Sequence, residues 1–171
     1  MKQKLNQKLL NLIEYYHLMN SDILLNNSSI NRIKVVNKNN YKGTKKQKLE
    51  KLKFTIANIK NCSLKKSATN IVFSDGNINS KVMIIGEGPG AQEDLKGKPF
   101  VGRAGQLLDK MLAAINLDRN KVYISNVVNY RPPENRKPTD EEIERYFPFL
   151  RDHIEIINPK ILLLLGSTAL K

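Results

Sequence analysis

The residues with chemical potential concentrate in one stretch. Gly86-Glu87-Gly88-Pro89-Gly90 is followed by Glu93 and Asp94, and then by Gly97-Lys98-Pro99-Phe100-Val101-Gly102-Arg103-Ala104-Gly105. The stretch follows directly on Val82-Met83-Ile84-Ile85, an apolar run that reads as a short buried strand. Three glycines and a proline within five residues fix an irregular loop at the strand's C-terminal end, which is where open α/β sheets take their ligands. Two more glycines flank Pro99-Phe100, so the expected site is a backbone-lined pocket with one aromatic plate.

Phosphate-loop chemistry fits this loop poorly. A dinucleotide fingerprint needs G-x-G-x-x-G opening into a helix; here the third glycine comes one residue early, Pro89 interrupts, and no clean helix start is evident. A P-loop needs Gly-Lys-Ser/Thr, but Gly97-Lys98 runs into Pro99. An ordinary Gly/Pro turn between a strand and the next element is the plainer alternative.

The elements that must carry the loop follow from periodicity. A strand at 81–86 leads into it, and Leu107, Leu108, Met111, Leu112 and Ile115 mark a helix packed on the sheet. Val122 to Val128 reads as a second strand that ends in Asn129-Tyr130-Arg131-Pro132-Pro133. Thr139 with Glu142 three residues on is a capping box for a helix with apolar residues Ile143, Leu150, Ile154 and Ile157. Pro148 is expected to kink or interrupt that helix, Asn158-Pro159 to end it, and Ile161–Leu165 to form a third, fully buried strand. Gly166 to Leu170 then looks like the opening of another helix, and a parallel strand needs cover on both faces, so the domain is expected to be incomplete at its C-terminus. Upstream, Leu5, Leu9, Leu12, Ile13 and Tyr16 predict an amphipathic helix near 3–19, residues 26–48 read as a polar linker, and a second helix is expected at about 47–61.

Composition bounds the rest. A chain of 171 residues can bury the core of one α/β domain. A single cysteine, Cys62, excludes a disulfide framework and suits a reducing compartment. The apolar run Ile161–Leu165 is too short to span a bilayer, and Asn11 and Glu14 interrupt any signal-like segment, so a cytoplasmic protein without a membrane partner is expected. The net charge of +13 is uneven: residues 1–60 hold 13 Lys/Arg against 3 Asp/Glu, the remainder 16 against 13. A basic N-terminal arm attracts phosphate backbones by counterion release; a compositional bias filling a solvated linker explains it equally well.

Taken in order and spacing, these blocks resemble the iron–sulfur-type (family 4) uracil-DNA glycosylases over about residues 55–171. The blocks are Asn61-Cys62-Ser63-Leu64, Val72-Phe73-Ser74-Asp75-Gly76-Asn77, the Gly86–Gly90 loop with Glu93-Asp94, Pro99 to Gly105, Val122 to Val128, Arg131-Pro132-Pro133-Glu134-Asn135-Arg136 and Pro159 to Gly166. The resemblance implies a three-layer α/β/α domain with a short central parallel sheet, here partial over 55–171, behind a helical basic extension over 1–54 with its linker at about 26–48. It implies flipping of uracil out of DNA and hydrolysis of its N-glycosidic bond in base excision repair. Glu87 and the Gly88 backbone would lie beside the sugar and attacking water. Phe100 would stack on the base within a substrate site that includes Gly86 and Gly90. Asn126 would donate to O4 and accept from N3–H of uracil, a pattern cytosine mismatches. Arg131, Pro132, Pro133 and Arg136 would lie near the DNA. Each residue also has a plainer use: Glu87 as a loop cap, Phe100 as a core plug, Asn126 as a backbone partner, the arginines as solvated charge. His153 is read as structural or exposed.

The chain departs from the family pattern twice. The four cysteines of the family's [4Fe–4S] cluster correspond to Ile59, Cys62, Tyr130 and Tyr146, so no cluster and no other cofactor is expected, with the tyrosines filling the space. The family's later histidine and minor-groove wedge have no counterpart, since His17 and His153 sit in no such motif. The expectation is therefore a cluster-less, shortened or decaying glycosylase, weak or inactive alone and completed by a separate C-terminal fragment. A non-catalytic nucleic-acid-binding module, a remnant of a split glycosylase gene and a nucleotide-binding α/β protein are the rival readings.

Overall fold

A computed structural model describes residues 42–166 and 168–170. The expected helix at 3–19, most of the 26–48 linker and most of the basic arm lie outside the described residues.

The strand run Val82–Gly86 (β2) forms where expected and pairs in parallel with Tyr123–Asn126 (β3) on one side and Ile161–Leu164 (β4) on the other. A two-residue strand, Asp75–Gly76 (β1), pairs antiparallel with the start of β3, giving the order β1-β3-β2-β4. The sheet is therefore mixed where a parallel one was expected; a two-residue strand has no periodicity to read.

Alternation along the strands separates two core layers. Met83, Ile85 and Tyr123 face Leu49, Leu52 and Ile56 of Lys45–Ala57 (α1), Leu64 of Ser63–Ser67 (α2) and Tyr146, Ile156 and Ile157 of Asp140–Ile157 (α5). Ile84 and Ile124 face Leu108 and Leu112 of Arg103–Ala114 (α4) on the opposite side. This is the three-layer α/β/α arrangement expected. The helix α1 runs across position 54, and Leu49 and Leu52 before it belong to this core with Ile56 after it; Lys45 Nζ donates to the Ile157 carbonyl at 2.8 Å, placing a cation on the open C-terminal end of α5.

Three local expectations are corrected. Pro148 does not interrupt helix α5: Pro148 and Glu144 are both exposed, and solvent can serve the Glu144 carbonyl that loses its partner. Only Leu108 and Leu112 of the α4 stripe are buried, whereas Leu107, Met111 and Ile115 point outward. Nor is β4 fully buried: Ile161, Leu162 and Leu163 are 53, 40 and 42% exposed, because β2 covers one edge and no described strand covers the other. The capping box holds, with Thr139 Oγ1 accepting from Glu142 N and Glu142 Oε2 from Thr139 N, and Asn158 ends α5 in the left-handed region.

His153 is structural. It is buried, stacks on Phe73 with ring centroids 4.5 Å apart, and its Nε2 lies 2.7 Å from Tyr123 Oη. Burial pushes its pKa down to about 3 and pushes that of Tyr123 up, so a neutral imidazole and a neutral phenol share the hydrogen bond. Below the ordinary histidine pKa the unfolded chain binds a proton that the folded chain refuses, so stability falls as pH drops from about 6.5 toward 3. At pH 5 the loss from this group is expected to be about 2 kcal/mol. Thermal unfolding across pH 7 to 5 should show a falling midpoint, and His153→Gln should flatten that slope; an unchanged slope would rule the assignment out.

Candidate active site

Strand register builds the centre of the site. In the parallel β2–β3 pair Gly86 stands opposite Asn126, and the pairing continues past the strands: Val127 N donates to the Gly86 carbonyl at 2.8 Å and Val128 N to that of Glu87 at 3.3 Å. A methyl group on Gly86 would lie 2.5 Å from Cζ of Phe100 and 2.6 Å from Oδ1 of Asn126. The aromatic edge and the amide thus converge over a residue without a side chain. Asn126 is 3% exposed, and its Nδ2 has no hydrogen-bond partner among the described residues. A buried amide donor left unpaired costs about 1–3 kcal/mol, a cost that a ligand carbonyl would relieve.

The glycine loop is tied internally by acids. Glu93 sits on the six-residue helix Ala91–Lys96 (α3), which starts directly after Gly90, against the expectation of no helix start. Its Oε1 accepts from Val101 N at 2.8 Å and Gly102 N at 2.7 Å, and its Oε2 from Gly90 N at 3.2 Å. One carboxylate therefore joins the Gly86–Gly90 loop to the Pro99–Gly102 segment. It also occupies backbone amides that a phosphate would need and adds negative charge beside them, so this loop is not a phosphate cradle. Neighbouring Asp94 is buried and accepts from the amides of Thr69 and Asn70, fixing α3 to the chain beyond α2. Glu87 is half-buried, and Thr168 Oγ1, beyond β4, donates to its Oε2 at 2.5 Å. Gly88 packs beside Val128, with Pro132 and Pro138 next.

Phe100 is held in an unfavourable backbone conformation, φ 55°, at a cost of about 1–2 kcal/mol. Its carbonyl turns toward the start of α4, where Gly105 leaves room: a methyl group there would lie 1.7 Å from the Phe100 oxygen. Arg119, in the turn between α4 and β3, donates from Nη2 to that same oxygen and from Nη1 to the Pro99 carbonyl at 3.1 Å. Its Nε meets Asp109 Oδ1 at 2.8 Å and its Nη1 meets Asp75 Oδ2 at 2.9 Å. Partial burial opposes its charge, but hydrogen bonds and charge from Asp109 and Asp75 prevail and raise its pKa. Sequence reading missed Arg119 and Thr168 and gave Glu93 no role. Only Glu93 left a signal, three residues after the loop's last glycine.

The residues expected near DNA differ in availability. Arg131 is half-buried, its Nε donating to Asn135 Oδ1 at 2.8 Å. Pro132 is buried and Pro133 exposed. Arg136 forms a two-pronged pair with Glu142, at 2.8 and 2.7 Å, and these hydrogen bonds hold the Glu142 carboxyl down to about 2.

The positions aligned with cluster ligands do not fit an iron–sulfur cluster. Cys62, Tyr130 and Tyr146 are buried together, and Cys62 Sγ lies 3.3 Å from Tyr146 Oη. Burial foremost, and then Cys62, raise the pKa of both tyrosines, so the phenols are neutral and supply no thiolate-like ligand. Ile59 packs against the same core. No group of three or more His, Cys, Asp or Glu among the described residues could hold a metal ion, and no helix among them is long and apolar enough to cross a membrane.

The chain is 50% identical over 109 residues to the type-4 uracil-DNA glycosylase of Thermotoga maritima, a match covering 64% of this chain and 57% of that protein. It is 47% identical over 114 residues to the type-4 enzyme of Archaeoglobus fulgidus, covering 67% and 57%, and 44% identical over 124 residues to that of Sulfurisphaera tokodaii, covering 72% and 56%. The chain thus matches little more than half the length of these relatives. Residues 73–171 match the family model for the uracil DNA glycosylase superfamily; with the strand-end glycine loop, the ring and the buried amide converging on one point, the chain belongs to that superfamily.

Proposed function

We propose that this chain carries the uracil-gripping half of a uracil-DNA glycosylase, hydrolysing the N-glycosidic bond of uracil in DNA for base excision repair. The observation that carries the reading is the unpaired, buried Nδ2 of Asn126 beside the Phe100 ring over Gly86. In this reading the flipped uracil stacks on Phe100, accepts from Asn126 Nδ2 at O4 and donates from N3–H to Oδ1. The C1′–N1 bond breaks with its electron pair leaving on uracil, water adds to C1′, and the water proton ends on the departing base. Charge separates in that transition state, positive on the sugar and negative on the base, so fixed donors contribute most. Glu87, steadied by Thr168, faces the sugar and the attacking water together with the Gly88 backbone. Gly90, tied by Glu93, keeps the loop rigid. Arg131, Pro133 and the remaining N–H groups of Arg136 line the DNA strand, with the buried Pro132 seating the turn that carries them.

The activity of the assembled protein is read as needing more than this chain. The apolar residues Ile161, Leu162 and Leu163 on β4 and Leu107, Met111 and Ile115 on α4 are exposed, a surface suited to a separate C-terminal fragment that adds a strand and a helix. The cytoplasm is the compartment this reading implies, and the free, buried Cys62 thiol supports it. We also read the protein as free of an iron–sulfur cluster, with the Cys62–Tyr146 contact and Tyr130 serving as an apolar staple.

Two experiments test these readings. Uracil release from single-stranded and U·G DNA should be measured for the full chain alone and with the C-terminal remainder of the Thermotoga maritima relative supplied. Release is expected at least with the remainder present. Asn126→Asp should lower it about 100- to 1,000-fold, and Gly86→Ala, which fills the space between ring and amide, should lower it as well. No release in either case, with salt-sensitive DNA binding indifferent to uracil, would favour the non-catalytic binding module instead. Separately, the chain purified anaerobically should lack cluster absorbance, and Tyr146→Phe should cost about 1 kcal/mol in denaturant unfolding; stoichiometric iron would refute the cluster-free reading.

A further inference from the structure

We propose that Arg119 is the positioning residue for the Phe100 ring. Its guanidinium is locked between Asp75 and Asp109 and holds the Pro99 and Phe100 carbonyls, so that the ring stays over Gly86. The proposal rests on the reading of Phe100 as the plate for the base. Three observations support it.

Arg119 is committed almost wholly to this task. Four of the five guanidinium N–H groups are used, on Asp109, Asp75, Pro99 and Phe100. The two carboxylates come from different elements, β1 and α4, so they fix the plane of the fork as well as neutralising it. A lysine ammonium, a point charge on a flexible stem, reaches one carbonyl but does not set a plane.

The grip falls on the one strained residue of the pocket. Phe100 adopts a left-handed backbone conformation, and a ring-bearing residue does not hold it without outside constraint. Gly105 permits the carbonyl direction but exerts no pull; Arg119 supplies the pull. The opposite side of the segment is anchored by Glu93 on the amides of Val101 and Gly102, so the peptide between Pro99 and Gly102 is held at both ends.

The turn bearing Arg119 is itself seated on β1. Gly76 has φ +99°, and a methyl group there would lie 2.8 Å from the Arg119 carbonyl and 2.2 Å from that of Val122. The short antiparallel strand thus has a use: it brings the Asp75 carboxylate to the guanidinium while letting the Arg119 backbone approach.

The test uses the full chain with ¹³C at the phenylalanine ε carbons. It has five phenylalanines, and Phe100→Leu identifies the Phe100 signal. Arg119→Gln is expected to move that signal toward its solvent-exposed position while leaving that of buried Phe73 in place, and Arg119→Lys to do so in part. In binding to single-stranded oligonucleotides, Arg119→Gln and Phe100→Leu should each reduce the preference for uracil over an abasic-site analogue about tenfold, and the double variant no more than either alone. An unmoved Phe100 signal in folded Arg119→Gln, or losses that multiply in the double variant, would overturn the proposal. Should Arg119→Gln fail to fold, Asp109→Ala, which removes one of the two carboxylates that set the plane of the fork, decides by the same two outcomes. A wild-type chain without uracil preference, whose Phe100 signal still responds to Arg119, would retire the stacking role of Phe100 and leave the clamp standing.

Discussion

The parallel pairing that sets Gly86 of β2 opposite Asn126 of β3 is the constraint on which the site depends. A side chain at 86 would occupy the space where the Phe100 ring and the Asn126 amide converge. A one-residue slip in register would turn Asn126 to the other face of the sheet. Both strands are buried along almost their whole length, so apolar packing on two faces fixes that register, and the core thereby determines where the amide points. The cost of leaving the Asn126 donor unpaired is borne by this packing.

Around that centre, acidic side chains act as internal ligands for the backbone. Glu93 gathers amides from two loops, Asp94 gathers those of Thr69 and Asn70, and Asp75 with Asp109 orients a guanidinium toward two carbonyls. Charge-assisted hydrogen bonds of this kind are worth about 1.5–3 kcal/mol each, comparable to the strain at Phe100. A glycine-rich loop so occupied is stiff and negatively charged. Such a loop offers a phosphate fewer free amides than its glycine content suggests.

The region around Cys62 shows the same economy by other means. Between α2, the chain after β3 and α5, Tyr130 and Tyr146 are buried together with Cys62, with one sulfur–hydroxyl contact between Cys62 and Tyr146.

Much of this was legible in the chain itself. The alternation of Val82 to Ile85, the Thr139–Glu142 box and the glycine spacing are local signals, and local signals set strands, caps and turns; the ordered motifs were enough to single out Glu87, Phe100 and Asn126. Other features were not legible, because they are relations between distant residues. The Arg119 grip on Phe100, the Thr168 contact with Glu87 and the antiparallel β1 span 19, 81 and about 48 positions of sequence, and no periodicity encodes them. Local sequence signals thus determined the strands, the caps and the glycine loop, and the resemblance named the candidate residues. Only tertiary packing decided which way they face, because a side chain's direction is fixed by what is buried against it.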